Sequence, residues 1–192
     1  LDIGFGNIAS IKNALDHLEI KNKIINKPSD ILNSDSIILP GDGSFKAIKN
    51  VYENRYFEEL SNHANKNKPI LGICLGMQFF AKESEEDKNN KGFNWIPGTV
   101  KKLKSNSKIQ VPHIGYNSIL PQFEHPILKN IETNSDFYFV HSYYFKSEDS
   151  KNSLALTTYG ETFSSIIIKK NIVGVQFHPE KSQQNGLIFL KN

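Results

Sequence analysis

The chain has one cysteine, Cys74, one methionine, one tryptophan and a single arginine, Arg55, among its 192 residues. A lone cysteine cannot close an internal disulfide, so the fold must be held by its core, and a reducing cytoplasm is the expected location. No apolar run approaches the roughly 20 residues that a membrane helix needs, and no basic, apolar leader opens the chain. A net charge of +3 with one guanidinium argues against a nucleic-acid surface, which needs clustered cations to grip phosphates. No spacing of His, Cys or carboxylates fits a metal site and no glycine loop fits a phosphate cradle, so neither a metal nor a cofactor is expected. What is present is ordinary: 38% hydrophobic and 22% charged residues, enough for one α/β domain spanning 1–192.

The first half alternates between strand and helix. Leu1 to Asn7 reads as the end of a strand and a glycine turn, and Ile8, Ile11, Leu15 and Leu18 mark one face of a helix. Lys23 to Asn26 is a short strand candidate and Ser36 to Leu39 a better one, ending at the loop Pro40, Gly41, Asp42, Gly43. Ser44 to Asn65 carries a broken helical pattern, and Pro69 to Ile73 is a buried strand. This rhythm implies parallel strands with helical crossovers. Glu83 to Lys91 is a polar run expected to be a solvated, poorly ordered loop.

Beyond Pro97 and Gly98 the pattern becomes strand-rich: Thr99 to Leu103, Ile114 to Leu120, Phe137 to Phe145, Leu154 to Thr158, Ser164 to Ile168 and Ile172 to Phe177. A short helix is expected near Pro126 to Asn130 and a terminal one around Gln183 to Leu190. The last strand is expected to return beside Cys74.

Cys74 stands where the buried strand stops, between Gly72 and Gly76, with a helix expected from Met77. Glycines two positions either side of a nucleophile fit the turn of a G-x-S-x-G elbow, with sulfur replacing oxygen. The following helix would direct its N–H groups and dipole at the sulfur and favour the thiolate. The last strand runs into His178, Pro179, Glu180: an imidazole on a rigid mount, with a carboxylate two residues on to fix its tautomer. Cys74, His178 and Glu180 together form a candidate catalytic triad. Of the other histidines, His141 reads as a hydrogen-bonded structural residue, and His113 as a shaper of a partner-facing surface.

The stretches GICLGMQ around Cys74, GVQFHPEKS around His178 and Glu180, and the loop PGDG resemble the class I triad glutamine amidotransferases. Three more, DIGFGNIASIKNAL at 2–15, PHIGYN at 112–117 and YFVHSYY at 138–144, are similar to the glutaminase subunits of imidazole glycerol phosphate synthases. The resemblance implies a flavodoxin-like α/β fold, a mixed and mainly parallel sheet flanked by helices. It implies hydrolysis of L-glutamine to glutamate and ammonia through a γ-glutamyl thioester on Cys74. His178 would move the protons and Glu180 would orient it. Backbone N–H groups of Leu75 and of the loop 40–43, Gly43 or else Asp42 after a peptide flip, would form the oxyanion hole, and Gly43, Gln78, Ser142 and Tyr143 would bind substrate.

It also implies a heterodimer with a (β/α)8-barrel cyclase of histidine biosynthesis, which receives the ammonia through a channel. Lys181, Tyr138 and the loop 112–117 would lie near that interface. Asp42 stands where the family usually has a small apolar residue, and Tyr116 where tryptophan is common. These departures keep open a sugar amidotransferase of surface glycan synthesis as the alternative partner.

Overall fold

The computed structural model describes all 192 residues. Its elements run in the order α1 (Ile8–His17), α2 (Pro28–Leu32), β1 (Ile37–Leu39), α3 (Ile48–Glu53), α4 (Tyr56–Asn65), β2 (Ile70–Ile73) and α5 (Leu75–Gln78). Then follow β3 (Glu83–Ser84), β4 (Gly98–Lys102), β5 (His113–Ser118), β6 (Leu120–Pro121), β7 (Asp136–His141) and β8 (Tyr143–Ser147). The chain closes with β9 (Ser153–Tyr159), β10 (Glu161–Lys169), β11 (Ile172–Val175) and α6 (Gln183–Lys191).

The central sheet has the order β1-β2-β11-β10-β9-β6. The pairs β1/β2 and β2/β11 are parallel and the other three antiparallel, so the sheet is mixed and its parallel part is confined to the site-bearing half. The parallel share is smaller than the first half of the sequence implied. Between β5 and β11 the connections carry no α-helix, and a strand without a helical crossover returns antiparallel. The other strands form a three-stranded sheet, β3-β4-β8, and a ribbon of β5 and β7.

Side chains alternate across the sheet and divide the core in two. Ile167, Ile70 and Leu39 pack with Ile48, Leu60 and Met77 on the face covered by α2 to α5. Ile166, Ile168 and Val175 pack with Ile11 and Phe189 on the face covered by α1 and α6. No helix is long and apolar enough to cross a membrane.

Three local expectations are corrected. Leu1 to Asn7 and Lys23 to Asn26 form no strand; isolated bonds hold them instead of a ladder, among them those from the Leu1 amino group to Ile38 O and from Asp2 N–H to Ile25 O, both at 2.8 Å. The stretch Phe137 to Phe145 is two strands in different sheets, separated at Ser142, because β7 pairs with β5 and β8 with β4. The polar run 83–91 is ordered. Ser84 and Asp87 are buried, Glu85 accepts from Lys102 N–H and Glu86 from Phe45 N–H, so its carboxylates satisfy backbone donors of neighbouring segments.

Candidate active site

The three parallel strands end at one edge of the sheet, the usual place for a site in an α/β fold. Leu39 is in register with Gly72, and Gly72 with Gly174, so the loop 40–43, Cys74 and the segment 176–178 leave the sheet side by side. Cys74 takes φ 53°, ψ −107°, a conformation disfavoured for a residue with a Cβ by roughly 1–3 kcal/mol. Its N–H donates to Val175 O at 2.7 Å and its carbonyl accepts from Gln78 N–H at 3.1 Å, and these bonds hold the turn.

The strain sits on Cys74 itself, not on the flanking glycines, whose value is room. A Cβ on Gly76 would stand 2.0 Å from Leu39 O, and one on Gly72 would stand 2.6 Å from the Phe80 ring. Gly41 lies against the same turn, where a Cβ would meet Gly76 N and the Leu75 side chain at 2.7 Å. Close approach therefore brings the loop 40–43 against the start of α5. The helix expected from Met77 is a single turn, Leu75–Gln78, because Phe79 to Ala81 turn into the core. One turn sums few peptide dipoles, so individual donors, rather than a macrodipole, set the field at the sulfur.

His178 is buried, and its Nδ1 lies 2.8 Å from Glu180 Oε1. Its Nε2 is buried without a protein partner on the side where Cys74 stands. Burial disfavours the charged ring, but the Cys74 sulfur and the Glu180 carboxylate more than offset this and push its pKa up to about 10. The mount is rigid: His178 N–H donates to Tyr138 O at 2.8 Å, while Ser182 Oγ donates to His178 O at 2.6 Å and accepts from Tyr138 N–H at 2.9 Å.

A cleft of about 420 Å³ opens over these groups. Gly43, Cys74, Leu75, Gln78, Ser142, Tyr143 and His178 all line it, and Glu180 stands behind His178. Gly43 is at φ 92°, and the Leu75 N–H is one of the unpaired donors of a helix start. The Ser142 and Tyr143 carbonyls are already committed: Ser142 O accepts from Leu103 N–H at 2.9 Å, and Tyr143 O from Gln78 Nε2 and His141 Nδ1, each at 2.9 Å. That segment can offer a ligand donors but few acceptors.

Two lining carboxylates, Asp42 and Glu86, complete the wall. Asp42 is exposed and its Oδ1 accepts from Gly6 N–H at 3.0 Å, tying the loop to the glycine turn at 4–6. Glu86 belongs to the polar run 83–91, expected from sequence to be a solvated loop. Pairing of β3 with β4 carries it to the cleft, where the Ser84 hydroxyl accepts from the Glu86 N–H at 3.1 Å. His141 is, as expected, structural: Nδ1 faces a carbonyl, so it must donate there, leaving Nε2 to accept from His113 Nδ1 at 2.9 Å.

This arrangement can present a nucleophilic sulfur to a carbonyl carbon, with a proton carrier on one side and N–H donors for the developing oxyanion on the other. No three His, Cys, Asp or Glu side chains are grouped to hold a metal ion.

The family model for the class I glutamine amidotransferases matches residues 1–191. Proteins named imidazole glycerol phosphate synthase subunit HisH are similar over the whole chain. The one from Leptospira borgpetersenii is 40% identical over 100% of this chain and 96% of its own length. That from Carboxydothermus hydrogenoformans is 42% identical with the same coverage, and that from Methanosarcina barkeri 42% over 100% and 95%. Among solved structures, one titled glutamine amidotransferase superposes with a TM-score of 0.75 at 18% identity, over 97% of this chain and 94% of its own. The structure of PurLQS from Thermotoga maritima gives 0.75 at 16%, over 100% and 93%. At these identities the two structures speak for the fold alone.

Proposed function

The chain belongs to the class I glutamine amidotransferases, and from that membership we propose that it is the glutaminase subunit of an imidazole glycerol phosphate synthase. The observation that carries the chemistry is the convergence of Cys74 and the bonded pair His178–Glu180 on one cleft, at the ends of adjacent parallel strands.

In this reading the Cys74 thiolate attacks the carboxamide carbon of L-glutamine. The oxyanion that forms is met by the N–H groups of Leu75 and Gly43, each worth about 2.7–4 kcal/mol in the transition state. His178 Nε2 gives its proton to the nitrogen, the C–N bond breaks, and ammonia leaves a γ-glutamyl thioester. His178 then takes a proton from water, whose oxygen attacks the thioester carbon, and glutamate departs as the C–S bond breaks. Glu180 keeps the Nδ1 proton in place throughout.

The substrate's α-ammonium needs an anion. Glu86 suits it better than Asp42, being half-buried and fixed by Phe45 N–H at 2.8 Å. The Ser142 N–H, which has no protein acceptor, would meet the α-carboxylate, and Gln78 Oε1 the remaining donors. The whole of 1–192 would be one amidotransferase domain working in the cytoplasm.

Beside the cleft, the β5–β7 ribbon exposes Ile114 and Tyr116, 60% and 49% accessible. Tyr116 packs edge-on to Tyr138, and the Lys181 ammonium stands 6.0 Å from the Tyr138 ring centre. Such an apolar patch, rimmed by Lys181 and adjoining the source of ammonia, supports a partner surface here. The proposed occupant is the cyclase barrel.

Glutamate release from glutamine, measured alone and with the cyclase subunit plus its nucleotide substrate analogue, tests both parts. A low rate that rises strongly with the cyclase supports the synthase. Turnover that ignores the cyclase would leave the glutaminase and move the partner to a sugar amidotransferase. Absence of turnover in every combination would overturn the glutaminase.

A further inference from the structure

We propose that Gln176 is an additional catalytic residue, whose side-chain amide donates to the Cys74 sulfur and holds it as a thiolate. The inference rests on Cys74 being the nucleophile, and it stands on four linked contacts. Gln176 continues β11 beyond Val175, which is in register with Ile73, so its side chain lies level with Cys74. It is fully buried, its backbone N–H donates to Ser165 O at 2.9 Å, and its Nε2 lies 3.6 Å from Cys74 Sγ.

The network determines which end of the amide meets the sulfur. Tyr143 O is a carbonyl and only accepts, so the Gln78 group facing it at 2.9 Å must be its NH₂. The same NH₂ lies 3.2 Å from the Gln176 oxygen, which must therefore accept. The Gln176 NH₂ is left to point at Cys74. A flipped Gln176 would set NH₂ against NH₂ at one end and a carbonyl oxygen against sulfur at the other.

A donor aimed at sulfur favours the anion. The opposing contact is weaker: a Cys74 S–H could donate to Val140 O, but at 4.0 Å this is the outer limit for a sulfur hydrogen bond. Because α5 is a single turn, its dipole supplies little. The amide of Gln176 on one side and the imidazolium of His178 on the other supply the stabilisation that a long helix would otherwise contribute. Gln176 forms no bond to substrate and carries no proton; its part is the charge state of the sulfur.

Cys74 is the only thiol, so iodoacetamide reports on it alone. The alkylation rate is to be followed from pH 5 to 10 in wild type, Gln176→Leu and Gln176→Glu, without glutamine, with circular dichroism and melting confirming the fold. For Gln176→Leu the profile should move to higher pH and the rate at pH 7 should fall about tenfold, equivalent to ~1.4 kcal/mol. Gln176→Glu, with a carboxylate against the sulfur, should move further in the same direction. Profiles that superimpose on wild type would overturn the proposal and reduce Gln176 to packing. If neither variant folds, wild type decides: the side-chain ¹⁵N–¹H resonances of Gln176 should shift as the thiol titrates and again on carbamidomethylation, and resonances that stay fixed would overturn it. Failure of the glutaminase itself would show separately, as absent glutamate release with the alkylation profiles still ordered as predicted.

Discussion

His113 and His141 meet in the core with Nδ1 of His113 2.9 Å from Nε2 of His141, and this bond requires His141 Nε2 to remain unprotonated as the acceptor. His113 Nε2 faces Asn117 Nδ2 at 3.3 Å, His141 Nδ1 faces Tyr143 O, and Phe139, Tyr159 and Phe163 pack around the pair. No carboxylate is bonded to them, and the one other charge acting on the pair is that of His178 on His141. Burial pushes His113 down to about 4. Burial first, and then the neighbouring His113, pushes His141 down to about 3.

Both folded values lie below the unfolded value of about 6.5, so the stability they represent is present above pH 6.5 and is lost as pH falls toward 4 and 3. Below about pH 6 the loss should approach ~1.4 kcal/mol per pH unit for each ring. Urea denaturation at pH 7.5, 6 and 5 should show it, and the double substitution His113→Gln with His141→Gln should flatten the slope. Equal slopes in the two proteins would rule out the pair as the cause.

His178 behaves oppositely. Its folded value, about 10, lies above the unfolded one, so its contribution is complete below pH 6.5 and disappears as pH rises through 10. Melting temperature should therefore fall between pH 7 and 10 in wild type and much less in His178→Ala. For turnover, His178→Ala should cost roughly 10⁶-fold in kcat and Glu180→Gln roughly 10⁴-fold, since orienting a base contributes less than being it. Reversal of that order would remove His178 from the proton path.

Gly76→Ala should abolish activity and destabilise the fold, because its methyl would stand 2.0 Å from a strand carbonyl that cannot move without breaking β1 from β2. Gly43→Ala meets no atom within 4 Å but sits at φ 92°, so it should fold and lose turnover through loop geometry alone. Comparison of the two melting curves checks this: a Gly76→Ala curve matching wild type would refute the packing argument.

Glu86→Gln removes the charge but keeps the shape and the bond to Phe45 N–H. KM for glutamine should rise at least tenfold with a smaller change in kcat, the sign of lost ground-state binding. An unchanged KM would assign the ammonium site elsewhere.

Ser182→Ala should cost about 1 kcal/mol, since it leaves the half-buried Tyr138 N–H without its acceptor. It should also lower kcat through a looser His178, and chemical denaturation together with steady-state rates would separate the two effects. Loss of stability with an unchanged kcat would show that this bond does not position the histidine.

Much of the site could be read from the chain. Gly72, Cys74 and Gly76 in one stretch, and His178 with Glu180 in another, carry their chemistry in their spacing, and the parallel β1 and β2 follow from strand-helix alternation. Glu86 could not be read in this way. A carboxylate among Glu83, Glu85, Asp87 and several lysines has no local feature that separates it from a solvated surface. Only the two-residue pairing of β3 with β4 carries it to the cleft.

The sequence by itself placed Cys74 at the end of a strand between Gly72 and Gly76, and His178 at the end of another two residues before Glu180, because each of these two patterns lies within a few positions of the chain. Tertiary structure alone decided which groups surround the sulfur. Gln176 reaches Cys74, 102 residues away, through the register of β2 and β11, and its amide is oriented through Gln78 by a carbonyl at Tyr143. Strand register and hydrogen-bond direction are properties of the assembled sheet, satisfied jointly by distant segments, and no local pattern encodes them.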